Sequence, residues 1–327
     1  RKPESELTQR HKDIAAALQW VYERVLFKML NHVCKETKSE NVVLAGGCGL
    51  NSVANGKILR NTLFKNIWLQ SDPGDGGTSI GTAAYIYHSV LGNKRNYIFK
   101  DAYLGPGFST EEIKSFLDKN KIRYSEFKDE KEIIEVAAKL IYNNNVVGWF
   151  QLGMEWGPRA LGARSILSNA CNSKMQEILN HKVKHREKFR PFAPVVCEDD
   201  ALKYFECDVP ISETTDFMLM VYPIRKEWHD KIPAVTHVDG SGRLQTIRRH
   251  QNQLYYDLIK KFGKLSGIPI LINTSFNIRG EPIVCTPYDA YKCMMGTGID
   301  CIVMGNFLIK REDNPQDIWD SEKYAKD

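Results

Sequence analysis

Between Glu155 and Arg190 the sequence carries eight basic residues, Arg159, Arg164, Lys174, Lys182, Lys184, Arg186, Lys188 and Arg190, against three acids, Glu155, Glu177 and Glu187. That local excess equals the formal net charge of the whole 327-residue chain, +5, so the remainder sums to zero. A chain basic throughout would point to a nucleic-acid surface. A neutral chain with one basic, glycine-punctuated segment points to a pocket for a small, multiply charged anion. Arg159 and Arg164 stand five apart with small and apolar residues between them, unlike a solvated helix face. Planar guanidinium groups grip phosphate through paired hydrogen bonds, which makes arginine the fitting residue for that task. Lys184 and Arg190 bracket a polar run that ends in Arg190-Pro191-Phe192-Ala193-Pro194, where the chain turns apolar. Charges at the mouth of a buried strand are well placed to line a pocket. The alternative is a solvated basic face bonded to carboxylates, and it suits Lys174, Lys182 and Lys188 better than Arg159 or Arg190.

Two further stretches carry chemistry. Thr236-His237-Val238-Asp239-Gly240-Ser241-Gly242-Arg243 reads as a strand carrying His237 into a glycine-rich turn, with Arg243 beyond it. Asn273-Thr274-Ser275-Phe276-Asn277-Ile278-Arg279-Gly280 ends an apolar strand in amides, hydroxyls and one arginine. Strand C-termini in open α/β sheets are where ligands bind, and amides suit a neutral polar head such as a carboxamide. Turn capping is the competing role for Asn273 and Asn277. His181 and His185 have metal-ligand spacing on a helix, but Lys182, Lys184 and Arg186 surround them and their field repels a cation. Asp75, in a glycine turn with Asp72 nearby, suits a hard metal or a magnesium-bound nucleotide, though one carboxylate does not make a site. No Ser-His-Asp or Cys-His pair has supporting context, so no protein nucleophile is expected.

The elements that must position these groups follow from periodicity. Leu7 to Val33 predicts one long amphipathic helix. A strand at Asn41 to Ala45 runs into Gly46-Gly47-Cys48-Gly49-Leu50-Asn51 and a helix through Ala54 to Leu59. A second strand at Ile67 to Gln70 runs into Ser71-Asp72-Pro73-Gly74-Asp75-Gly76-Gly77-Thr78 and a helix at Ile80 to Val90. Strand, glycine turn, helix, twice over, lets backbone N–H groups approach phosphate at a helix start, or else makes two tight packing turns. Neither turn is a G-x-G-x-x-G or Walker A loop. Leu91 to Asp101 reads as a linker. Beyond it, helices are predicted at Thr110 to Leu117, Glu130 to Tyr142 and Gln251 to Leu265, and after the Thr286-Pro287-x-Asp289 cap. A turn or helix start is expected at Gly157-Pro158-Arg159. Strands are predicted at Ile122 to Phe127, Val146 to Gln151, Phe192 to Cys197, Phe217 to Val221, Ala234 to Val238, Arg243 to Ile247, Ile268 to Thr274, Cys301 to Val303 and Phe307 to Ile309. The charged tail after Lys310 is expected to be loose.

The length allows two domains with full cores. No apolar run approaches the length of a membrane span and no signal-peptide pattern opens the chain, so a cytoplasmic protein without membrane contact is expected. The eight cysteines are scattered without C-x-x-C pairs and fit reduced thiols better than zinc or disulfides.

Taken together, the motifs resemble the O-carbamoyltransferases of the nodulation protein U and tobramycin carbamoyltransferase type. The blocks that carry the resemblance are GGCGLNSVANGKI, DPGDGGTSIGTA, GWFQLGMEWGPRALGARSIL, KHREKFRPFAP, THVDGSGRLQTI and NTSFNIRGEPIVCTP, in the family's order from Ala45 to Ile309. The resemblance implies an α/β protein: residues 1–100 as the second lobe of an actin-like (ASKHA) domain, and residues 101–327 as a YrdC-like α/β domain with a twisted mixed sheet. It implies carbamoyl phosphate, ATP with Mg, carbamoyl-adenylate, and transfer to a hydroxyl of a small natural product. Arg159, Lys184, Arg190, Arg243 and Arg279 match the family's carbamoyl-phosphate ligands. His237 falls in a matching motif, as proton shuttle or phosphate ligand. Arg164, Asn273, Ser275 and Asn277 are expected to bind substrate; Gly46, Gly47, Asn51 and Gly76 match the nucleotide side. Asp75 matches an aspartate that binds iron or another divalent metal, with its other ligands in an N-terminal half that this chain, beginning at Arg1, is expected to lack. Rival expectations are threonylcarbamoyl-adenylate synthesis for tRNA modification and a non-catalytic anion-binding module. Nucleic acid fits poorly with the neutral remainder of the chain, and a homodimer is left open.

Overall fold

The computed structural model describes residues 5–185 and 189–315. Arg186 and Lys188 of the basic segment and the end of the charged tail therefore lie outside the described residues. The helices are α1 Gln9–Thr37, α2 Ser52–Asn55, α3 Ile58–Asn61, α4 Thr78–Tyr85, α5 Thr110–Lys119, α6 Glu130–Tyr142, α7 Met175–Lys182, α8 Glu198–Tyr204, α9 Gln253–Ser266 and α10 Pro287–Met295. The strands are β1 Asn41–Val43, β2 Asn66–Trp68, β3 Ser125–Glu126, β4 Val147–Phe150, β5 Arg164–Asn169, β6 Ala193–Cys197, β7 Met220–Pro223, β8 Ser241–Ile247, β9 Ile270–Ser275, β10 Cys301–Met304 and β11 Phe307–Lys310. β1 and β2 form a small parallel pair. The other strands form one nine-stranded sheet in the order β3-β11-β10-β4-β5-β9-β6-β8-β7. β4 with β10 and β6 with β8 run parallel, while β4 with β5 and both neighbours of β9 run antiparallel. The α/β class with a mixed sheet is thus what the chain adopts.

Alternation along the strands splits the core in two. Val147 and Trp149 of β4, Leu167, Val195 and Leu271 face α6 and α9, where Ile133, Ala137, Ile141, Leu258 and Phe262 close the layer. Phe150, Ile166, Val196 and Ile272 face the opposite way into the larger cluster. Each large apolar side chain buried this fully contributes about 1.5–3 kcal/mol. α6 starts where Asp129 accepts a hydrogen bond from Glu132 N, and its residues Ile133, Ala137 and Ile141 recur every four positions to make one buried stripe. α10 opens with the Thr286–Asp289 reciprocal cap and Pro287 at its first position, as the sequence predicts.

Two expectations are corrected and one is narrowed to its turn alternative. Ala234 to Val238 is not a strand. Pro233–Val235 is a 3₁₀ turn, and the chain then doubles back so that His237 N donates to Ser241 O at 2.8 Å. No helix starts at Gly157-Pro158-Arg159; that stretch is a loop leading into β5, whose six residues are all buried and so show no in–out alternation to read. α1 forms at about the predicted place, but its stripe Ile14, Leu18, Val21, Val25, Met29 and Val33 is 46–69 % exposed, and only Leu30 and Cys34 of the helix are buried.

The first hundred residues are fastened to the sheet's far edge. Asn55 Nδ2 donates to Leu219 O at 3.0 Å, Leu69 N to Thr214 Oγ1 at 2.9 Å, and Ser212 Oγ to Ile67 O at 2.8 Å. Phe99, at the end of the expected linker, meets the rings of Trp68, Trp156 and Phe217. Gly56 approaches β7 so closely that an added Cβ would lie 2.0 Å from Val221 O. Backbone cannot swing aside as a side chain would, so Gly56→Ala is expected to lower stability by about 1–3 kcal/mol in chemical denaturation, and an unchanged midpoint would contradict this contact.

Candidate functional site

The site is built on the loop between β4 and β5, and that loop is held by one carboxylate. Glu155, 4 % exposed, accepts hydrogen bonds through Oε1 from Leu161 N (2.7 Å) and Ala163 N (2.6 Å), and through both oxygens from Arg164 N (3.1 Å each). The intervening Gly162 N donates to Ser165 Oγ at 3.0 Å. The carbonyls are taken as well: Ala160 O by Asn273 Nδ2, Leu161 O by Gln245 Nε2 and the Tyr103 hydroxyl, Ala163 O by Gln151 N. Gly162 sits at φ +110° with the Tyr255 ring where a Cβ would go, so only glycine fits there. A loop with its amides and carbonyls committed in this way has little freedom, and the residue at its turn, Arg159, inherits that rigidity.

Arg159 looks into a cavity of about 110 Å³ lined by Pro158, Arg159, Ala160, Met218, Arg243, Asn273, Thr274 and Ser275. The lining has two guanidinium groups and no carboxylate. It sits where β9 ends, the strand C-terminus that the sequence singled out. Arg159 Nε is buried without a partner among the described residues, and burial pulls the guanidinium below its ordinary pKa. Asn273, 1 % exposed, spends both protons of its Nδ2 on Ala160 O (3.0 Å) and Gln245 Oε1 (2.5 Å), while its Oδ1 is buried and unpartnered. A larger cavity, about 600 Å³, opens at the opposite ends of the strands. Its lining mixes Lys310 and Arg311 with Asp300 and Glu312, so it offers an anion no comparable field.

The structure therefore brings Arg159, Arg243, Asn273 and Ser275 together and places the other expected residues elsewhere. Lys184 lies beneath the rim. Its buried ammonium donates to Ser275 O (2.5 Å), Asn277 O (3.0 Å) and Asn277 Oδ1 (2.7 Å), with a longer contact to Ser275 Oγ. Asn277 accepts from Lys184 and from Ser275 Oγ and donates to Glu281 O, so it organises the loop after β9 rather than lining the cavity. Arg279 donates to His185 O at 2.9 Å. Arg190 is exposed, and its carbonyl accepts from Gln176 and Asn180. Arg164 is corrected most clearly. It is fully buried, bonds the carbonyls of Gln151, Ala163 and Pro106, and stacks 3.7 Å from the Phe150 ring centroid. It ties strands together and does not reach the cavity. The helical spacing of His181 and His185 also fails, because α7 ends at Lys182 and His185 has φ 43°.

His237 stands beside Arg243 rather than in the lining. Ser241 Oγ donates to Asp239 Oδ1 at 2.6 Å, so the 3.1 Å contact with His237 Nδ1 assigns the proton to that nitrogen and leaves Nε2 as the basic one. Burial lowers its pKa below the ordinary 6.5; Asp239 opposes this and Arg243 adds to it.

The two glycine turns that the sequence offers for a nucleotide meet: Gly46 N donates to Pro73 O at 2.6 Å. Cβ atoms added at Gly46 or Gly47 would meet open space, but Gly46 sits at φ +100°, so backbone conformation, not packing, requires glycine at that position. Asn51 caps α2 through Ala54 N and is bonded to Gln19, so its side chain is engaged within the fold. Gly76 lies against the Asp72 carboxylate. Asp75 is one exposed carboxylate at the start of a 3₁₀ turn, and no group of three ligands forms round it among the described residues. The residues present do not by themselves fit a metal. The turn also touches the cavity loop, since Ser71 Oγ donates to Trp156 O at 2.9 Å. Glu155, Gln245 and Met218 are the functional residues that sequence reasoning missed. Glu155 had been counted only as an opposing charge, and the other two gain meaning only from what they touch.

Two family models match the chain: the carbamoyltransferase C-terminus over residues 138–311 and the carbamoyltransferase N-terminus over residues 2–84. The uncharacterized protein sll1178 of Synechocystis is 44% identical over 97% of this chain and 55% of its own length. Nodulation protein NolNO of Sinorhizobium fredii is 37% identical over 95% of this chain and 46% of its own. The chain thus spans about half the length of the curated relatives it matches. Among solved structures, full-length HypF in its phosphate- and nucleotide-bound form is similar with a TM-score of 0.38 and 17% identity over 58% of this chain and 23% of that one.

Replacing Glu155 with alanine leaves three buried N–H groups without an acceptor, so Glu155→Ala is expected to cost about 3 kcal/mol or more in urea unfolding. A loss below about 1 kcal/mol would mean the loop holds itself. For His237 the unfolded chain takes up the proton first, because the folded pKa is depressed. Its contribution is present above about pH 6.5 and lost as pH falls through the folded value. Melting curves from about pH 7 to about pH 5 should show wild type losing ground to His237→Asn; parallel curves would remove the depressed pKa.

Proposed function

The chain belongs to the carbamoyltransferase family, and from that premise we propose that it carries the carbamoyl-phosphate site of an O-carbamoyltransferase, with carbamoyl phosphate in the cavity between Arg159, Arg243 and Asn273. One observation carries this reading: a partly open cavity lined by two arginines and no carboxylate, with the Arg159 Nε buried without a partner. A buried donor without an acceptor costs about 1–3 kcal/mol, and a phosphate oxygen would remove that cost. Thr274 and Ser275 at the end of β9 complete the same wall, with the Ser275 hydroxyl held by Asn277.

The reading continues on the other side of Trp156. The turns at Gly46–Gly47 and Asp75–Gly76 are the face for ATP, and residues 1–100 act as one lobe of an actin-like nucleotide domain. In this scheme the carbon–oxygen bond of the acyl phosphate breaks with water, phosphate leaves toward Arg159 and Arg243, and carbamate remains. The arginines stabilise the charge that grows on the departing phosphate, which is where fixed positive groups lower a barrier most. Carbamate then displaces pyrophosphate from ATP to give carbamoyl-adenylate. An acceptor hydroxyl takes the carbamoyl group and releases AMP. To His237, basic at Nε2 beside Arg243 though outside the lining, this scheme assigns holding or moving a proton at the phosphate. No step is assigned to a metal through Asp75.

Because Arg159 has no partner among the described residues, removing it should cost binding and not stability. Arg159→Ala is expected to weaken carbamoyl phosphate binding by about 10- to 100-fold with its melting point retained, and Arg243→Ala to weaken it similarly. Calorimetric titration checks both, and undiminished affinity in either variant would break the assignment. ATP–pyrophosphate exchange that depends on carbamoyl phosphate is the activity to look for. Exchange that depends instead on threonine and bicarbonate would move the protein to threonylcarbamoyl-adenylate synthesis.

A further inference from the structure

Arg159 explains an anion, but it does not explain Asn273, which lines the same cavity and whose Oδ1 is buried without a partner. An amide can be turned round to satisfy either need, so the question is what fixes this one. Both protons on Asn273 Nδ2 are committed, to Ala160 O at 3.0 Å and to Gln245 Oε1 at 2.5 Å. Gln245 is itself fixed, because its Nε2 donates to Leu161 O at 2.8 Å. Turning Asn273 would set its oxygen against two oxygens, and turning Gln245 as well would set a third against Leu161 O. Backbone carbonyls at both ends of the chain of bonds therefore decide the orientation, and they are held by the Glu155 loop. The sheet makes the contact between the two amides feasible. β6 places Ala193, a small residue, opposite Asn273 in the register, and Gln245 sits on the strand beyond, opposite Val195.

We infer that Gln245 is a positioning residue that turns the Asn273 Oδ1 toward the ligand, and that this oxygen selects an acyl phosphate bearing an N–H donor over one ending in a methyl group. The inference rests on the carbamoyl-phosphate reading and deepens it. Carbamoyl and acetyl phosphate share shape and charge, so arginines cannot tell them apart. A fixed acceptor can, since a methyl group leaves the buried Oδ1 unpaired while an amide NH₂ satisfies it.

The test is calorimetric titration of the chain with carbamoyl phosphate and with acetyl phosphate, reading the ratio of the two affinities. Wild type should prefer carbamoyl phosphate by about 10- to 100-fold. Asn273→Ala should bring the ratio toward one. Gln245→Leu, of similar volume, should lower it less, because it removes one of the two bonds that hold the Asn273 amide and leaves the one to Ala160 O, an effect that a purely structural role for Gln245 would not produce. Equal affinity of wild type for the two acyl phosphates overturns the inference and leaves the carbamoyl-phosphate reading standing, and it needs no variant to fold. So does a ratio that survives Asn273→Ala. Failure of wild type to bind either compound sinks the reading itself.

Discussion

The loop at the site depends on Glu155 being buried and surrounded by backbone N–H groups. A carboxylate taken out of water is costly unless its lone pairs are filled, and here Leu161, Ala163 and Arg164 fill them. The bond pattern works in both directions. The acid needs the loop to curl round it, and the curled loop has no other acceptor for those amides. Arg164 closes the arrangement by bonding carbonyls on three neighbouring segments. Its own pKa is lowered by burial, and the nearby Glu155 charge opposes that shift. Two opposite charges in the interior thus act on the backbone of β4, β5 and the loop between them.

The contrast between Lys184 and Arg159 shows how a basic segment divides its labour. Lys184 is buried with its ammonium satisfied by carbonyl and amide oxygens after β9, so it stabilises the floor on which Ser275 stands. Arg159 is left with a buried, unpartnered Nε. Asn273 Oδ1 is left the same way on the facing strand. Unsatisfied groups lower the stability of a folded chain, and they persist at this wall alongside Arg243 with no carboxylate near enough to line it. The lining thus carries an unpartnered donor and an unpartnered acceptor in addition to its positive charge.

The cavity is not isolated from the first hundred residues. Trp156 and Ser71 are hydrogen-bonded, Phe99 packs between Trp68, Trp156 and Phe217, and one apolar cluster runs from Leu30 and Ile67 through Phe217 to Tyr222. The glycine turn that carries Asp75 therefore shares a backbone contact with the loop that carries Arg159. On its other side this part of the chain leaves the stripe of α1 from Ile14 to Val33 exposed.

The sequence by itself determined the class of the fold and picked out four residues that line one cavity. Strong periodicities placed α6 and α9 within a residue or two, the Thr286–Asp289 cap placed α10, and residue chemistry selected Arg159, Arg243, Asn273 and Ser275 from three distant blocks. Chemistry of that kind is local, so it is legible without a structure. Tertiary structure alone decided which arginine lines the cavity. Arg159 and Arg164 look alike in sequence and each has a buried Nε without a partner, yet Arg159 lines the cavity while Arg164 donates to carbonyls through both terminal nitrogens, because Glu155 fixes where the loop ends and β5 begins. Asn51 and Asn277 read as ligands by type and were taken up by local bonds. Glu155 and Gln245 gave no signal because their partners lie on backbone amides and carbonyls, which every sequence contains and only a fold brings within reach.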